Sequence, residues 1–248
     1  MISLKTAAEL GLMRVAGKIV AEVLHGMQAR VKPGVSTAEL DRWAEQLIVG
    51  RKAVPAFKGY RGFPATLCTS LNGEVVHGIP SAARVLKDGD IVSVDVGVRY
   101  REWYADAAWT YPVGAITAEA ERLLKVTRES LELGIAQALP GKRLMDIGHA
   151  VQTHVEEAGF SVVRDFVGHG IGRELHEDPQ IPNFGNAGQG VKLKAGMVLA
   201  IEPMVNAGGY EVRVLADGWT TVTQDGSLSA HFEHTVALLD GQAEVLTQ

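Results

Sequence analysis

Polar and apolar positions along this chain follow two alternating periods. Near the N-terminus, Leu10, Met13, Val20, Val23, Leu24 and Met27 recur at helical spacing behind Thr6 and Glu9, whose separation of three residues is a capping box. This predicts a long first helix ended by Pro33-Gly34. Ser36 and Glu39 form a second capping box, and Leu40, Trp43 and Leu47 mark the inner face of a second helix. From Gly59 to Tyr111 the pattern changes to β-branched and aromatic residues broken by glycines. It predicts strands, most clearly Ile91 to Val98.

The same succession then returns. A Leu/Ala/Glu/Lys-rich helix opened by Thr117 and Glu119 runs to about Ala138, Pro140-Gly141 breaks it, and a further helix covers Met145 to Ala158. Strands are expected at Phe160 to Val167, Met197 to Val205, Tyr210 to Leu215 and Ser229 to Leu239. Helix, helix, strands thus occurs twice around a turn-rich boundary at Pro112 to Ala118, with no residue-level repeat. The economical arrangement is an α+β protein in which each half lays a helix pair on one face of a shared antiparallel sheet. We expect one domain over residues 1–248, made of two pseudo-symmetric halves at about 1–112 and 113–248. The opposite sheet face is then open to hold a site.

Composition removes several classes. With 24 Lys and Arg against 29 Asp and Glu, the net charge of -5 offers no basic field for nucleic acid or anionic lipid. The best apolar run, Met197 to Ile201, falls far short of the about 20 residues a membrane span needs. Cys68 has no partner for an intramolecular disulfide, and the opening MISLKTAAEL lacks the apolar core of a signal peptide, so a cytoplasmic location is expected.

Alternation in Ile91 to Val98 puts Val92, Val94, Val96 and Val98 on the helix-packed face and Ser93, Asp95 and Gly97 on the open one. A carboxylate there needs a compensating partner, which is either a hydrogen bond from a turn or an arginine, or a cation. Asp106 follows eleven positions later, a spacing that a hairpin uses to bring two carboxylates together. A shared divalent metal would relieve their repulsion. Glu202 ends the apolar run Met197 to Ile201, and Glu233 interrupts another strand pattern at Ala230 to Val236. His169 sits in Val167-Gly-His-Gly-Ile-Gly172, which reads either as a flexible turn or as a close backbone approach that fixes an imidazole. Four carboxylates and one histidine make a donor set for manganese, iron, cobalt or zinc and a poor one for copper.

Six ordered blocks carry a resemblance. Asn72-Gly-Glu-Val-Val-His-Gly-Ile-Pro80, Asp90-Ile-Val-Ser-Val-Asp-Val-Gly97, Tyr104-Ala-Asp106, Gly168-His-Gly-Ile-Gly172, Ile201-Glu-Pro-Met204 and Ser227-Leu-Ser-Ala-His-Phe-Glu-His-Thr235 resemble the motifs of the methionine aminopeptidases, in their compact bacterial type I form. The resemblance runs from Thr6 almost to the end of the sequence. It implies the pseudo-two-fold "pita-bread" α+β fold, with two helix pairs on the outer face of the antiparallel sheet and a metal site on the inner face. It also implies two divalent ions, with Asp95 chelating one, Asp106 and Glu233 bridging both, and His169 and Glu202 completing the other.

Glu202 would double as a proton shuttle, His176 would hydrogen-bond the oxyanion, and His77 would contact substrate beside the scissile bond. Tyr60, Phe63, Cys68, Leu175 and Trp219 would line the methionine pocket, although Phe63, Cys68 and Leu175 also suit plain core packing. The activity implied is removal of the initiator methionine from nascent chains with a small second residue, by a monomer in transient contact with the ribosome. Two competitors share the fold: proline-specific aminopeptidases and prolidases, which carry a large additional N-terminal domain, and a non-catalytic binding protein, which loss of ligands would mark.

Overall fold

The computed structural model describes residues 2–248. Among them are four α-helices, α1 (Ala7–Gln28), α2 (Thr37–Gly50), α3 (Ala118–Gln137) and α4 (Leu144–Glu157). The strands between the first two helices and α3 are β1 (Val54–Pro55), β2 (Leu67–Leu71), β3 (Glu74–Val76), β4 (Ile91–Tyr100) and β5 (Trp103–Pro112). After α4 come β6 (Ser161–Val162), β7 (Gly168–Gly170), β8 (Glu177–Ile181), β9 (Val198–Ile201), β10 (Met204–Asn206) and β11 (Val212–Val214). The last four are β12 (Thr221–Thr223), β13 (Ser229–His231), β14 (His234–Leu239) and β15 (Gln242–Val245). No helix among the described residues is long and apolar enough to cross a membrane.

The Thr6 capping box forms: the Glu9 carboxylate accepts the Thr6 N–H at 2.8 Å, and Thr6 Oγ1 accepts the Glu9 N–H at 3.4 Å. Helix α1 stops at Gln28, earlier than Pro33-Gly34. The N–H groups of Arg30 and Val31 both return to the Met27 carbonyl at 2.8 Å, a tight turn that draws Val31 into the core. Gly26 lets α2 approach α1, since a Cβ there would lie 2.1 Å from the Trp43 ring. Trp43 and Leu47 are therefore only half-buried at this seam, while Leu40 is buried beneath it.

Strands β4 and β5 form a hairpin whose two turn residues, Arg101 and Glu102, have φ of 47° and 70°, the left-handed pair of a tight type I′-like turn. Val92, Val94, Val96 and Val98 are wholly buried in one cluster with Val20, Leu24, Leu40 and Ile48 of α1 and α2. Each such valine contributes on the order of 2 kcal/mol. Helices α3 and α4 do the same on the second set of strands, where Leu123, Leu131, Ile147 and Val151 pack with Ile201, Val205 and Val236.

The antiparallel sheet is divided into four hydrogen-bonded pieces. The division that matters lies at Glu202-Pro203. The expected run Met197 to Val205 splits there, so β9 pairs with β7 and β14, while β10 pairs with β6 and β13. Proline has no N–H for a ladder, so the strand changes partners at this point. The facing strand breaks in register at Phe232-Glu233, between β13 and β14. Two glutamates thus stand opposite each other at a gap in the pairing, where side chains can turn inward. The strands expected at Phe160 to Val167 and Tyr210 to Leu215 shrink to Ser161–Val162 and Val212–Val214. The first finds only Val205 and Asn206 to pair with, and the second pairs only with β12.

Candidate metal centre and its pocket

On the open face of the hairpin, Asp95 lies opposite Ala108 and Asp106 opposite Gly97, so the two carboxylates are diagonal neighbours. Glycine at 97 lets the Phe57 ring lie against the strand, since a Cβ there would sit 2.5 Å from it. The second half of the chain is tied to this hairpin by Thr235. Its Oγ1 accepts the Asp106 N–H at 3.0 Å and donates to the Asp106 carbonyl at 2.7 Å. The Glu233 N–H donates to the Ala108 carbonyl at 2.9 Å. These bonds bring Glu233 of one half beside Asp106 of the other.

His169 occupies the middle of β7, between two glycines whose role is close strand approach. A Cβ at Gly168 would fall 2.3 Å from the Ala200 carbonyl oxygen, and one at Gly170 would fall 2.1 Å from that of Asp178. The backbone that reads as a flexible turn is therefore clamped on both sides. Nδ1 of His169 lies 2.9 Å from the Gly170 carbonyl, a bond it makes as donor. That places the ring proton on Nδ1 and leaves the Nε2 lone pair 3.5 Å from Asp106 Oδ2 and 3.6 Å from Glu202 Oε1.

Ligand atoms of Asp106, His169 and Glu233 all fall within 4.8 Å of one another. Asp95 and Glu202 join them on the wall of the same cavity, of about 170 Å³. Asp106, His169 and Glu233 are buried, and Asp95 Oδ1 is shielded from solvent with no hydrogen-bond partner among the described residues. Burial, then the negative charge of their neighbours, raises Asp95, Glu202 and Glu233 far above the usual carboxylate range. Burial lifts Asp106 to about 6 and lowers His169 to about 4. A neutral imidazole lone pair facing the carboxyl groups of Asp106, Glu202 and Glu233 is repulsive on its own terms. The donor set fits divalent cations, which turn every one of these contacts attractive.

Every other residue expected at the site lines this cavity: Tyr60, Phe63, Cys68, His77, Leu175, His176 and Trp219. Phe63 and Trp219 meet edge to face with centroids 5.2 Å apart, and buried Cys68 completes an apolar slot with them. Burial raises the Cys68 thiol well above its ordinary value, with Asp95 adding to the effect, so it serves as a small apolar group. His77 holds a left-handed φ of 61° and is caged by Phe166 and Trp219, at 5.5 and 6.2 Å between centroids. Strained non-glycine backbone of this kind concentrates at functional sites. His176 is exposed at the mouth of the cavity.

Three neighbours escaped the sequence reading. Phe57 and Arg61 line the cavity from the irregular segment before β2, where no periodicity points inward. His231 is buried, and its Nε2 lies 3.8 Å from Glu202 Oε2 with no hydrogen-bond partner among the described residues. Burial lowers it to about 3. It lies two residues before Glu233, so strand alternation could have put it on the same face.

Comparisons agree with this geometry. Residues 11–240 match metallopeptidase family M24. Methionine aminopeptidase 1 of Bacillus subtilis is 55% identical over 248 residues, covering the whole of both chains. A crystal structure of methionine aminopeptidase from Thermotoga maritima superposes with a TM-score of 0.99 at 50% identity, again over the whole of both chains. A prolidase from Pyrococcus furiosus shares the fold, with a TM-score of 0.78 at 22% identity over 99% of this chain and 65% of its own.

Proposed function

We propose, because the chain belongs to metallopeptidase family M24, that its cavity releases the N-terminal methionine of peptides as a methionine aminopeptidase. The pita-bread architecture of the relatives is the fold described above. One observation carries the reading: four carboxylates and a histidine gather on the wall of the same cavity that holds the apolar slot of Phe63, Cys68 and Trp219.

In this reading Asp95, Asp106, His169, Glu202 and Glu233 would hold two divalent ions, of cobalt, manganese, iron or zinc, and Asp106 and Glu233 would be the ligands that serve both. Bound, such ions supply Lewis acidity at the scissile carbonyl and acidify water at the site. The protein does the rest. The methionine thioether enters between Phe63, Cys68 and Trp219, where a polarizable sulfur packs well on ring edges, while Tyr60 and Leu175 close the slot. A Glu202 carboxylate oxygen receives the proton of the attacking water and returns it to the departing amine. His176 donates to the carbonyl oxygen as negative charge develops on it, and His77 fixes the peptide beside the bond. A preference for Gly, Ala or Ser after methionine is the expectation that goes with membership of this family.

The expected setting is a cytoplasmic monomer acting on nascent chains, with a transient ribosome contact. The lone buried Cys68 suits reducing surroundings. The test is release of methionine from Met-Gly-Met and Met-Ala-Ser with added manganese, iron, cobalt or zinc. A folded protein that releases none with any of the four would refute the reading.

A further inference from the structure

We propose that Tyr60, besides lining the slot, is the positioning residue that holds His176 with its Nε2–H turned toward the scissile bond. The inference rests on the reading of His176 as the oxyanion donor. That role sets two demands on the ring. The proton must sit on one particular nitrogen, and that nitrogen must face the cavity. An exposed histidine at a cavity mouth meets neither unaided, because its χ2 turns freely and both neutral tautomers are open to it.

Tyr60 meets both. Its Oη lies 2.9 Å from His176 Nδ1, and the two rings stack with centroids 5.3 Å apart at 25°. A phenol is a better donor than acceptor, and a bare imidazole nitrogen is a strong acceptor, so the favoured bond runs from O–H to Nδ1. Nδ1 is then unprotonated, the ring proton resides on Nε2, and Nε2 is the nitrogen left for substrate. The reverse bond, with Nδ1–H donating to Oη, would aim a lone pair at the developing oxyanion and oppose the reaction. On its other side His176 meets His169, with centroids 4.2 Å apart, which restricts its swing toward the cluster.

The backbone holds Tyr60 in turn. It stands in the short turn Tyr60–Gly62, flanked by Gly59 at φ 87°, Arg61 at φ 50° and Gly62 at φ 90°. Arg61 is an L side chain in a conformation that L residues seldom adopt. The turn is stapled by Gly59 N–H to the Phe63 carbonyl at 2.8 Å, and by Tyr60 N–H to Phe57 and Phe63 N–H to Tyr60, both at 2.9 Å. A segment bound this tightly presents its phenol at one point, 116 residues away in sequence from the imidazole it meets.

The test is Tyr60→Phe, which keeps the ring and removes only the hydroxyl. With Met-Ala-Ser and manganese-loaded enzyme, we expect kcat to fall about three- to tenfold, the worth of one ordinary hydrogen bond. KM should stay within about twofold because the slot is intact. In zinc-loaded enzyme carrying ¹⁵N-histidine, His176 should show the Nε2-protonated neutral tautomer, and Tyr60→Phe should shift it toward a mixture. Tyr60→Phe added to His176→Ala should change nothing further. A wild-type ring protonated on Nδ1 would overturn the inference, as would wild-type turnover in Tyr60→Phe beside a slow His176→Ala. Full turnover in His176→Ala would overturn the oxyanion role itself, and this inference with it.

Discussion

At Lys5 and Glu177 the chain buries a cation together with an anion; at Asp95, Asp106, Glu202 and Glu233 it buries anions alone. The first site is complete. Lys5 Nζ sits 2.6 Å from Glu177 Oε2, Ser3 Oγ donates to the same oxygen at 2.7 Å, and the Arg173 N–H donates to Oε1 at 2.8 Å. Burial pushes Glu177 upward, but the bonds from Lys5 and Ser3 outweigh it and hold the carboxyl below its usual range. In the second site burial acts in the same direction and the carboxyls rise, unopposed at Asp95, Glu202 and Glu233 and only partly offset at Asp106 by His176 and the Thr235 hydroxyl. At these two places the shifts run in opposite directions, downward where a buried ammonium faces the carboxylate and upward where carboxylates face one another. The first site also borders the cavity, since Glu177 follows His176 and its carboxylate accepts the N–H groups of Arg173 and Glu174 in the same loop.

The strongest way to break this contrast is to remove one carboxylate that the reading shares between two ions. Asp106→Ala should abolish methionine release and metal content together, and elemental analysis showing full occupancy in that variant would refute the bridging role. Adding metal is the complementary test. Metal-free protein given manganese or cobalt at about a hundred times Kd should gain roughly 2.7 kcal/mol. For a chain of this size that raises Tm by about 5–10 °C. Because the ligands must shed protons to bind, the gain should shrink as the pH is lowered. An unchanged melting curve would mean that the cluster is neutralised by protons alone.

Half of the contrast was legible in the sequence. Alternation in β4 put Asp95 on the face opposite the valines, and the two N-terminal capping boxes formed as expected. Local periods carry such information because each residue's facing follows from its neighbours. What stayed illegible is long-range. Pro203 marks a stop in one strand, yet nothing local says that the facing strand breaks at Phe232-Glu233, or that this double break puts two glutamates at a gap. The Lys5–Glu177 pair, 172 residues apart, left no trace in either period. His231 lies within reach of the alternation rule, two residues before Glu233, but a single histidine in a strand pattern carries no local sign that it will be buried beside Glu202.

A smaller effect is expected at the mouth. His176→Ala should lower turnover by about two orders of magnitude, as for loss of one oxyanion donor. Bound metal should remain, since the variant leaves the carboxylate cluster intact. Loss of metal alongside turnover would move His176 from the oxyanion into the metal site.

The mildest test addresses the self-compensated pair. Lys5→Met keeps the buried stem and removes the charge, leaving Glu177 with its hydroxyl and backbone donors. Removing one partner of a fully buried pair costs about 3–5 kcal/mol. With those remaining donors and Glu177 14% exposed, about 2 kcal/mol is expected at neutral pH, measured by urea unfolding. The pH dependence gives the sharper readout. Glu177 has a folded-state pKa below its unfolded value, so its contribution is present in full above the ordinary carboxylate value of about 4.3 and is lost as pH falls through the depressed one. Protonated Glu177 no longer needs the ammonium. The stability gap between wild type and Lys5→Met should therefore close as the medium is acidified through that window. A gap that persisted unchanged in acid would show that Lys5 acts by packing, and the two buried sites would then differ in shape and not in charge balance.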